Sequence, residues 1–382
     1  MGLGLYVHIP FCLAKCSYCD FFSVPVGTAP VQGYLQALAG ETVLAGRTPD
    51  LDDSFVSSIY IGGGTPTVLT GDQLDGVLAA VGREFSSIEG CEVTVEANPG
   101  TVDRGKLKAI KAAGANRLSL GVQSLEAGVL KRIGRKHGPE EVYQAFDLAR
   151  EIGFAVNLDL IFALPGQTPD GWRETIRNAA AMGPEHISTY GLKVETGTPL
   201  ARMIEQGVMN PCLEDEEAAM YEDTVAMLTA CGYIHYEISN FARPGHKSKH
   251  NCHYWENGEY IGLGAGAHSH LNHRRWANCT DLVSYMEMVN RGELPVAEVE
   301  HVSLDQEMAE TMFLGLRLIE GINMAAFERR FGVPVDGAFG RAIARHKATG
   351  LLTVDDGRLK LSPRGLLLAN EVFVDFLAPE IG

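Results

Sequence analysis

The segment Leu3-Gly4-Leu5-Tyr6-Val7-His8-Ile9-Pro10-Phe11-Cys12-Leu13-Ala14-Lys15-Cys16-Ser17-Tyr18-Cys19-Asp20-Phe21 decides how the chain is read. Its first seven residues are a short apolar run with β-branched members, which reads as a buried strand. That strand runs directly into three cysteines spaced C-x3-C-x2-C. Three thiolates can hold three irons of a four-iron cluster, whose usual complement is four cysteines. The fourth iron would stay open to a small molecule, as an open position does at a catalytic metal. Zinc is the competing reading. Structural zinc takes four ligands, commonly from paired C-x2-C units, and the sequence holds no second pair. His8 could be a fourth ligand, but it belongs to the strand before the loop. Ligand count and spacing favour the cluster.

Outward from this loop, strands and helices alternate. Strand patterns fall at residues 3–9, 55–61, 92–95, 117–120, 154–162 and 186–192, and helical patterns at 31–45, 72–84, 103–113, 139–151, 170–182 and 214–230. Six rounds predict an α/β fold with a parallel sheet and helices outside it. Right-handed crossovers curl such a sheet, giving a partial (β/α)6 TIM-like barrel over residues 1–235. Active sites of these barrels lie at the C-terminal strand ends. The first strand ends in the cysteine loop and the second in Gly62-Gly63-Gly64-Thr65-Pro66. The third delivers Glu96, the fourth Gly121-Val122-Gln123-Ser124, and the fifth Asp159. Glycine allows close backbone approach to a ligand. Glu96 and Asp159 read either as ligand contacts or as caps of the next helix; their shared register favours contact. Gln123 offers a neutral donor and acceptor. Arg135 could pair with a carboxylate or lie on the surface. Tyr6, two residues before His8, points to the same side of its strand.

The rhythm breaks after residue 235. Residues 236–280 form a histidine-rich segment, and 244–276 read as irregular or short-strand. From 281 to 382 helices dominate, at 282–291, 304–319, 324–331 and 335–349. A hairpin follows, with strands 351–354 and 359–361 joined through Asp355-Asp356-Gly357, and a last helix spans 363–376. Helices followed by a hairpin resemble a winged-helix unit.

Composition narrows the function classes. The chain has 382 residues and a formal charge of −16, which repels phosphate backbones and argues against nucleic-acid binding. The run Glu214-Asp215-Glu216-Glu217 suits the first turn of a helix. No stretch approaches the roughly 18–20 apolar residues of a membrane helix, and no basic region precedes an apolar run at the N-terminus. A cytoplasmic protein, not integral to a membrane, is the expectation. Cys91, Cys212, Cys231, Cys252 and Cys279 are scattered singly, as small buried residues are. In a reducing cytosol the clustered triad suggests metal or redox chemistry rather than disulfides.

The triad after a first strand resembles the radical SAM superfamily. Together with Tyr6-x-His8-Ile9-Pro10-Phe11-Cys12, Gly-Gly-Gly-Thr-Pro at 62–66, Glu-x-Asn-Pro at 96–99 and Gly-x-Gln-Ser at 121–124, it looks like the coproporphyrinogen oxidase-like branch, over nearly the whole chain. The resemblance implies a [4Fe–4S] cluster on Cys12, Cys16 and Cys19, with S-adenosylmethionine (SAM) chelating the open iron and accepting an electron at its sulfonium. It places Gly63, Gly64 and Thr65 at SAM's methionine end, and Tyr6, Glu96, Gln123, Arg135 and Asp159 in the SAM pocket.

Two kinds of member compete: an oxygen-independent coproporphyrinogen III oxidase, which decarboxylates propionates, and a haem chaperone. The oxidase typically carries a further cysteine where this chain has Phe21. It also has a long N-terminal extension, whereas only eleven residues precede Cys12 here. His250-Asn251-Cys252-His253-Tyr254-Trp255 matches the H-N-x-x-Y-W motif of haem-binding members. Six of the twelve histidines, His246, His250, His253, His268, His270 and His273, lie in this neighbourhood. Neutral imidazole is a common axial ligand of haem iron, and Tyr254, Trp255 and Trp276 could flank a porphyrin. His250 is the candidate haem residue, against the ordinary reading of a hydrogen-bonded structural histidine. The chaperone reading implies haem as ligand and haem-containing respiratory enzymes as acceptors. Covalent attachment is not expected, because no C-x-x-C-H occurs.

Overall fold

The computed structural model describes residues 2–51 and 54–377. Six strands lead: β1 Leu3–Ile9, β2 Val56–Gly63, β3 Ser87–Ala97, β4 Arg117–Gln123, β5 Ala155–Phe162 and β6 His186–Gly191. Each pairs with the next in parallel. β1 is buried at every residue except the partly open Tyr6. A near-continuous apolar run of this kind is what a parallel strand covered on both faces requires. Helices Val31–Gly46, Gly71–Glu84, Arg104–Ala112, Pro139–Ile152, Pro169–Met182 and Glu214–Ala230 follow the strands in turn. Thr70, Asp103 and Thr168 cap three of them with side-chain oxygens, satisfying amides that the helix itself cannot. The acidic run occupies the first turn of Glu214–Ala230. A short helix at Pro199–Glu205 had no clear periodic signal.

The sheet extends further than the six rounds. Strands β7 Ile234–Glu237, β8 Asn240–Ala242, β9 Tyr260–Leu263, β10 His268–Leu271, β11 Arg274–Asn278 and β12 Val296–His301 complete twelve strands. Their order is β12-β11-β10-β9-β1-β2-β3-β4-β5-β6-β8-β7. The sheet is open, so the barrel is partial. Residues 244–276, expected to be irregular or short-strand, hold the helix Lys249–Trp255 and three short strands. β9 lies parallel to β1 on its outer side. Four-residue strands flanked by glycines carry too little periodicity to reveal such a partner.

The C-terminal unit has its own core, around Met312, Leu316, Val335, Phe339, Leu359, Val372 and Phe376. Helices Leu304–Gly315, Met324–Phe331 and Val335–Ala348 precede the hairpin Leu352–Asp355 and Arg358–Leu361, the winged-helix order. The last helix is not continuous: it divides into Pro363–Leu367 and Ala369–Val374, because Leu368 leaves helical geometry. Backbone bonds from Ile238 N–H to Arg317 and from Ile319 N–H to Tyr236 tie the unit to the β7 edge. Among the described residues no helix is long and apolar enough to cross a membrane.

Candidate functional site

The cysteine loop and the glycine loop are stitched together by backbone. Gly64 N–H donates to the Ile9 carbonyl at 2.9 Å and Thr65 N–H to that of Phe11 at 2.7 Å. A Cβ on Gly64 would stand 2.6 Å from the Phe11 carbonyl oxygen, so only glycine permits this approach. The far side of the cysteine loop is fixed by Ser17, whose hydroxyl donates to the Ile133 carbonyl at 3.0 Å. Cys12, Cys16 and Cys19 are free, half-buried thiols. Cys19 is held above its ordinary value by burial, and further by the neighbouring Cys16 and Cys12, so the three share one locale. Cys12 Sγ lies 3.7 Å from Thr65 Oγ1. His8 does not join them: Nδ1 pairs with the Tyr6 hydroxyl at 2.9 Å and Nε2 with the Phe22 carbonyl at 3.0 Å. Among the described residues no three Cys, His, Asp or Glu side chains are grouped to hold a single metal ion.

Polar groups converge beside this loop. Arg135 is not a free surface residue. Its Nη2 donates to the Gly121 carbonyl at 2.6 Å and its Nη1 to Cys16 Sγ at 3.6 Å. Its Nε is buried without a partner, as is Oε1 of Gln123. Gln123 adopts a left-handed φ of 63° at a register break in β4, which turns its side chain out of the strand pattern. Unpaired buried polar atoms are rare and costly, and these two fit a polar ligand over the strand ends.

Glu96 and Asp159 are not helix caps, since Asp103 and Thr168 fill that role. Glu96 accepts from the Tyr60 hydroxyl at 2.8 Å and from Gly63 N–H at 3.1 Å. Burial pushes it up to about 7, opposed by the Tyr60 bond. Asp159 accepts from Ser119 at 2.7 Å and from Asn157 Nδ2 at 2.8 Å; burial raises it too. Tyr6 stacks near Tyr60, with ring centroids 6.3 Å apart.

The histidine-rich segment is arranged differently. His250 is 1% exposed, pairs through Nδ1 with Ser58 Oγ at 2.9 Å and through Nε2 with the Tyr254 hydroxyl at 3.0 Å, and stacks on Tyr60. Burial pushes it down to about 3, so it is neutral. His253 Nε2 donates to the Glu259 carbonyl, and His273 pairs with Glu307. His270 is buried against Tyr260, and His268 is exposed. The six histidines do not converge. Trp255 lies under the Arg317 guanidinium. Trp276 lines an apolar cavity of about 110 Å³ with Ile261, Leu263 and Leu271, which neither Tyr254 nor Trp255 reaches.

The radical SAM superfamily model matches residues 6–179, and the model described as "HemN C-terminal domain" matches 302–368. The protein named "Heme chaperone HemW" of Bacillus subtilis is 39% identical over 377 residues, covering 97% of this chain and 98% of that one. The chain belongs to the HemW family of radical SAM proteins. The Escherichia coli HemW is 40% identical over 270 residues, 70% of this chain and 69% of that protein. The solved structure of Escherichia coli coproporphyrinogen III oxidase (HemN), described as a radical SAM enzyme, superposes with a TM-score of 0.86 at 25% identity, covering 98% of this chain and 90% of that one. Membership brings a [4Fe–4S] cluster and SAM as the cofactors of this HemW-family fold.

Sequence reasoning missed the residues that hold the carboxylates: Tyr60, Ser119 and Asn157. Tyr60 sits two residues before Gly62 and Asn157 two before Asp159, so period-two alternation could have found both. Ser119 stands two residues before Gly121 on its strand, so the same alternation points to it.

Proposed function

We propose that this chain is a haem chaperone, which holds a [4Fe–4S] cluster and SAM at the strand ends, binds haem, and passes it to acceptor proteins, namely haem-containing respiratory enzymes. The likeness to the Bacillus subtilis chaperone, end to end in both chains, carries the reading. Phe21 supports it: where the oxidase typically has a cysteine, this chain presents a side chain 66% exposed.

In this reading Cys12, Cys16 and Cys19 hold three irons, and Arg135 donates to the Cys16 sulfur. Gly63, Gly64 and Thr65 form a backbone cradle for SAM. Tyr6, Glu96, Gln123 and Asp159 line the rest of its pocket, with the unpaired atoms of Gln123 and Arg135 available to it. The cluster supplies one-electron chemistry when bound; the protein orients and shields it. The motif helix Lys249–Trp255 belongs to the haem region, and His250 enters it as a residue of that helix. Ligating iron would require His250 to release Ser58 or Tyr254. The proposed division keeps 1–235 for the cofactors, 236–280 for the histidine-rich segment and 281–382 for the C-terminal unit. The proposed compartment is the cytoplasm, where clustered thiols stay reduced.

The test is anaerobic. Reconstituted protein is titrated with haem and, in parallel, incubated with coproporphyrinogen III, SAM and a reductant. A saturable Soret band without turnover is expected. Protoporphyrinogen formed at catalytic rates would replace this reading with the oxidase.

A further inference from the structure

The motif helix is bolted to the strands that carry the SAM pocket. Glu92, on β3 four residues before Glu96, accepts from Ser248 Oγ at 3.3 Å, Lys249 N–H at 3.1 Å and His250 N–H at 3.1 Å. A carboxylate on a helix N-terminus is favourable for both dipole and hydrogen-bonding reasons. From this anchor one chain of contacts runs to Glu96. His250 bonds Ser58 of β2 and lies flat on Tyr60, with ring centroids 5.1 Å apart and planes 24° apart. Tyr60 in turn donates to Glu96, and Glu96 holds Gly63 N–H. A second chain runs to Asp159. Asn157 donates to Asp159 and accepts from His186 Nδ1 at 2.6 Å. His186 Nε2 accepts from Tyr236 at 2.8 Å, whose oxygen accepts Ser248 N–H at 3.3 Å. Both pocket carboxylates therefore lead back to the start of one helix.

We propose that Tyr60 and His250 are positioning residues of the SAM site: His250 clamps the Tyr60 ring, and the Tyr60 hydroxyl aims Glu96 at the glycine loop. The proposal rests on the reading that Glu96 faces SAM. His250 has no open nitrogen and 1% exposure, so its contribution reaches a ligand through its neighbours. The Tyr60 bond also opposes the upward push of burial on Glu96, so it helps keep that carboxylate ionised near neutral pH. The other titratable groups facing Glu96 are Tyr6, Asp159 and Tyr190. None of them supplies a positive charge that could replace the lost bond.

The test compares Tyr60→Phe, His250→Gln and the double variant as cluster-loaded full-length proteins. SAM affinity is measured by anaerobic equilibrium dialysis from pH 6 to 9. The change that SAM causes in the electron paramagnetic resonance spectrum of the reduced cluster is recorded beside it. Haem affinity is read from Soret titration, and far-UV circular dichroism checks folding. Tyr60→Phe keeps the ring and its stacking, so it is the variant least able to unfold the protein.

Each single variant is expected to weaken SAM binding roughly tenfold at pH 7, the scale of one hydrogen bond to a charged group. The pH profile of Tyr60→Phe should move upward and recover at high pH, which a general packing defect would not produce. Two residues in one chain should couple, so the double variant should lose little beyond the worse single one. Losses that multiply, or an unmoved pH profile, would overturn the chain. So would a His250→Gln protein with normal SAM affinity and no Soret band, which would make His250 a haem residue instead. Failure of the unmodified protein to bind haem would count against the chaperone reading and leave the SAM measurements standing.

Discussion

The cysteine loop and the helix Lys249–Trp255 are both short, polar and rich in metal-binding side chains, yet they are built in opposite ways. The loop's sulfurs make long, weak contacts, Cys12 with Thr65 Oγ1 at 3.7 Å and Cys16 with Arg135 Nη1 at 3.6 Å. Its three thiols are free, and the atoms around them include an unpaired Arg135 Nε and an unpaired Gln123 Oε1. The helix has spent its histidine nitrogens, while Trp255 Nε1 at its end is buried without a partner. Both nitrogens of His250 are paired, His253 is bonded to Glu259, and three amide and hydroxyl groups of the first turn are closed by Glu92. A donor set awaiting a ligand keeps atoms unpaired; a structural set pairs them internally. Residue type alone does not separate the two cases, because histidine and cysteine serve both.

Substitutions should divide along this line. The largest effect is expected at Cys16→Ala, which should abolish the broad cluster absorbance and leave far-UV circular dichroism unchanged. A full four-iron content in that variant would show that the loop is not the ligand set. Next comes the helix anchor. Glu92→Gln turns one of the two oxygens that accept these three hydrogen bonds into an NH2 group facing a backbone donor, and a loss of about 2 kcal/mol is expected in denaturant unfolding. No measurable loss would mean that the helix is held by packing alone.

The third effect concerns pH. Glu96 is pushed up to about 7 by burial, so it is ionised above that pH and neutral below it. SAM affinity should therefore be full at pH 8 and fall as pH drops through 7, by up to roughly tenfold per unit below the pKa. A flat profile between pH 6 and 8 would remove Glu96 from the SAM contacts. The smallest effect belongs to Phe21→Ala. The side chain is 66% exposed, so unfolding should change by no more than about 0.5 kcal/mol and iron content not at all. A large loss of iron would show that Phe21 shields the cluster.

Much of the barrel was legible in the sequence because its signals are local. β1 was read with its observed limits, Leu3–Ile9, since a strand buried on both faces spells its burial as an unbroken apolar run. The strand-end polar groups followed from the same rhythm. What stayed hidden is long-range. The pairing of Tyr260–Leu263 with β1 joins segments about 250 residues apart through four residues, two of which a strand pattern would not require. The commitment of His250 to Ser58 depends on where the helix docks. The broken last helix turned on one residue, Leu368, whose type is a good helix former.

In the proposed function this radical SAM fold carries haem. The most direct measurement is anaerobic haem transfer. Cluster-loaded protein is charged with one equivalent of haem, mixed with the haem-free form of a respiratory haem enzyme, and separated by size-exclusion chromatography with absorbance at the Soret wavelength. Haem should move to the acceptor fraction and restore its spectrum, while the cluster stays with the donor. Haem that never binds, or that remains on the donor through a large excess of acceptor, would refute a carrier role.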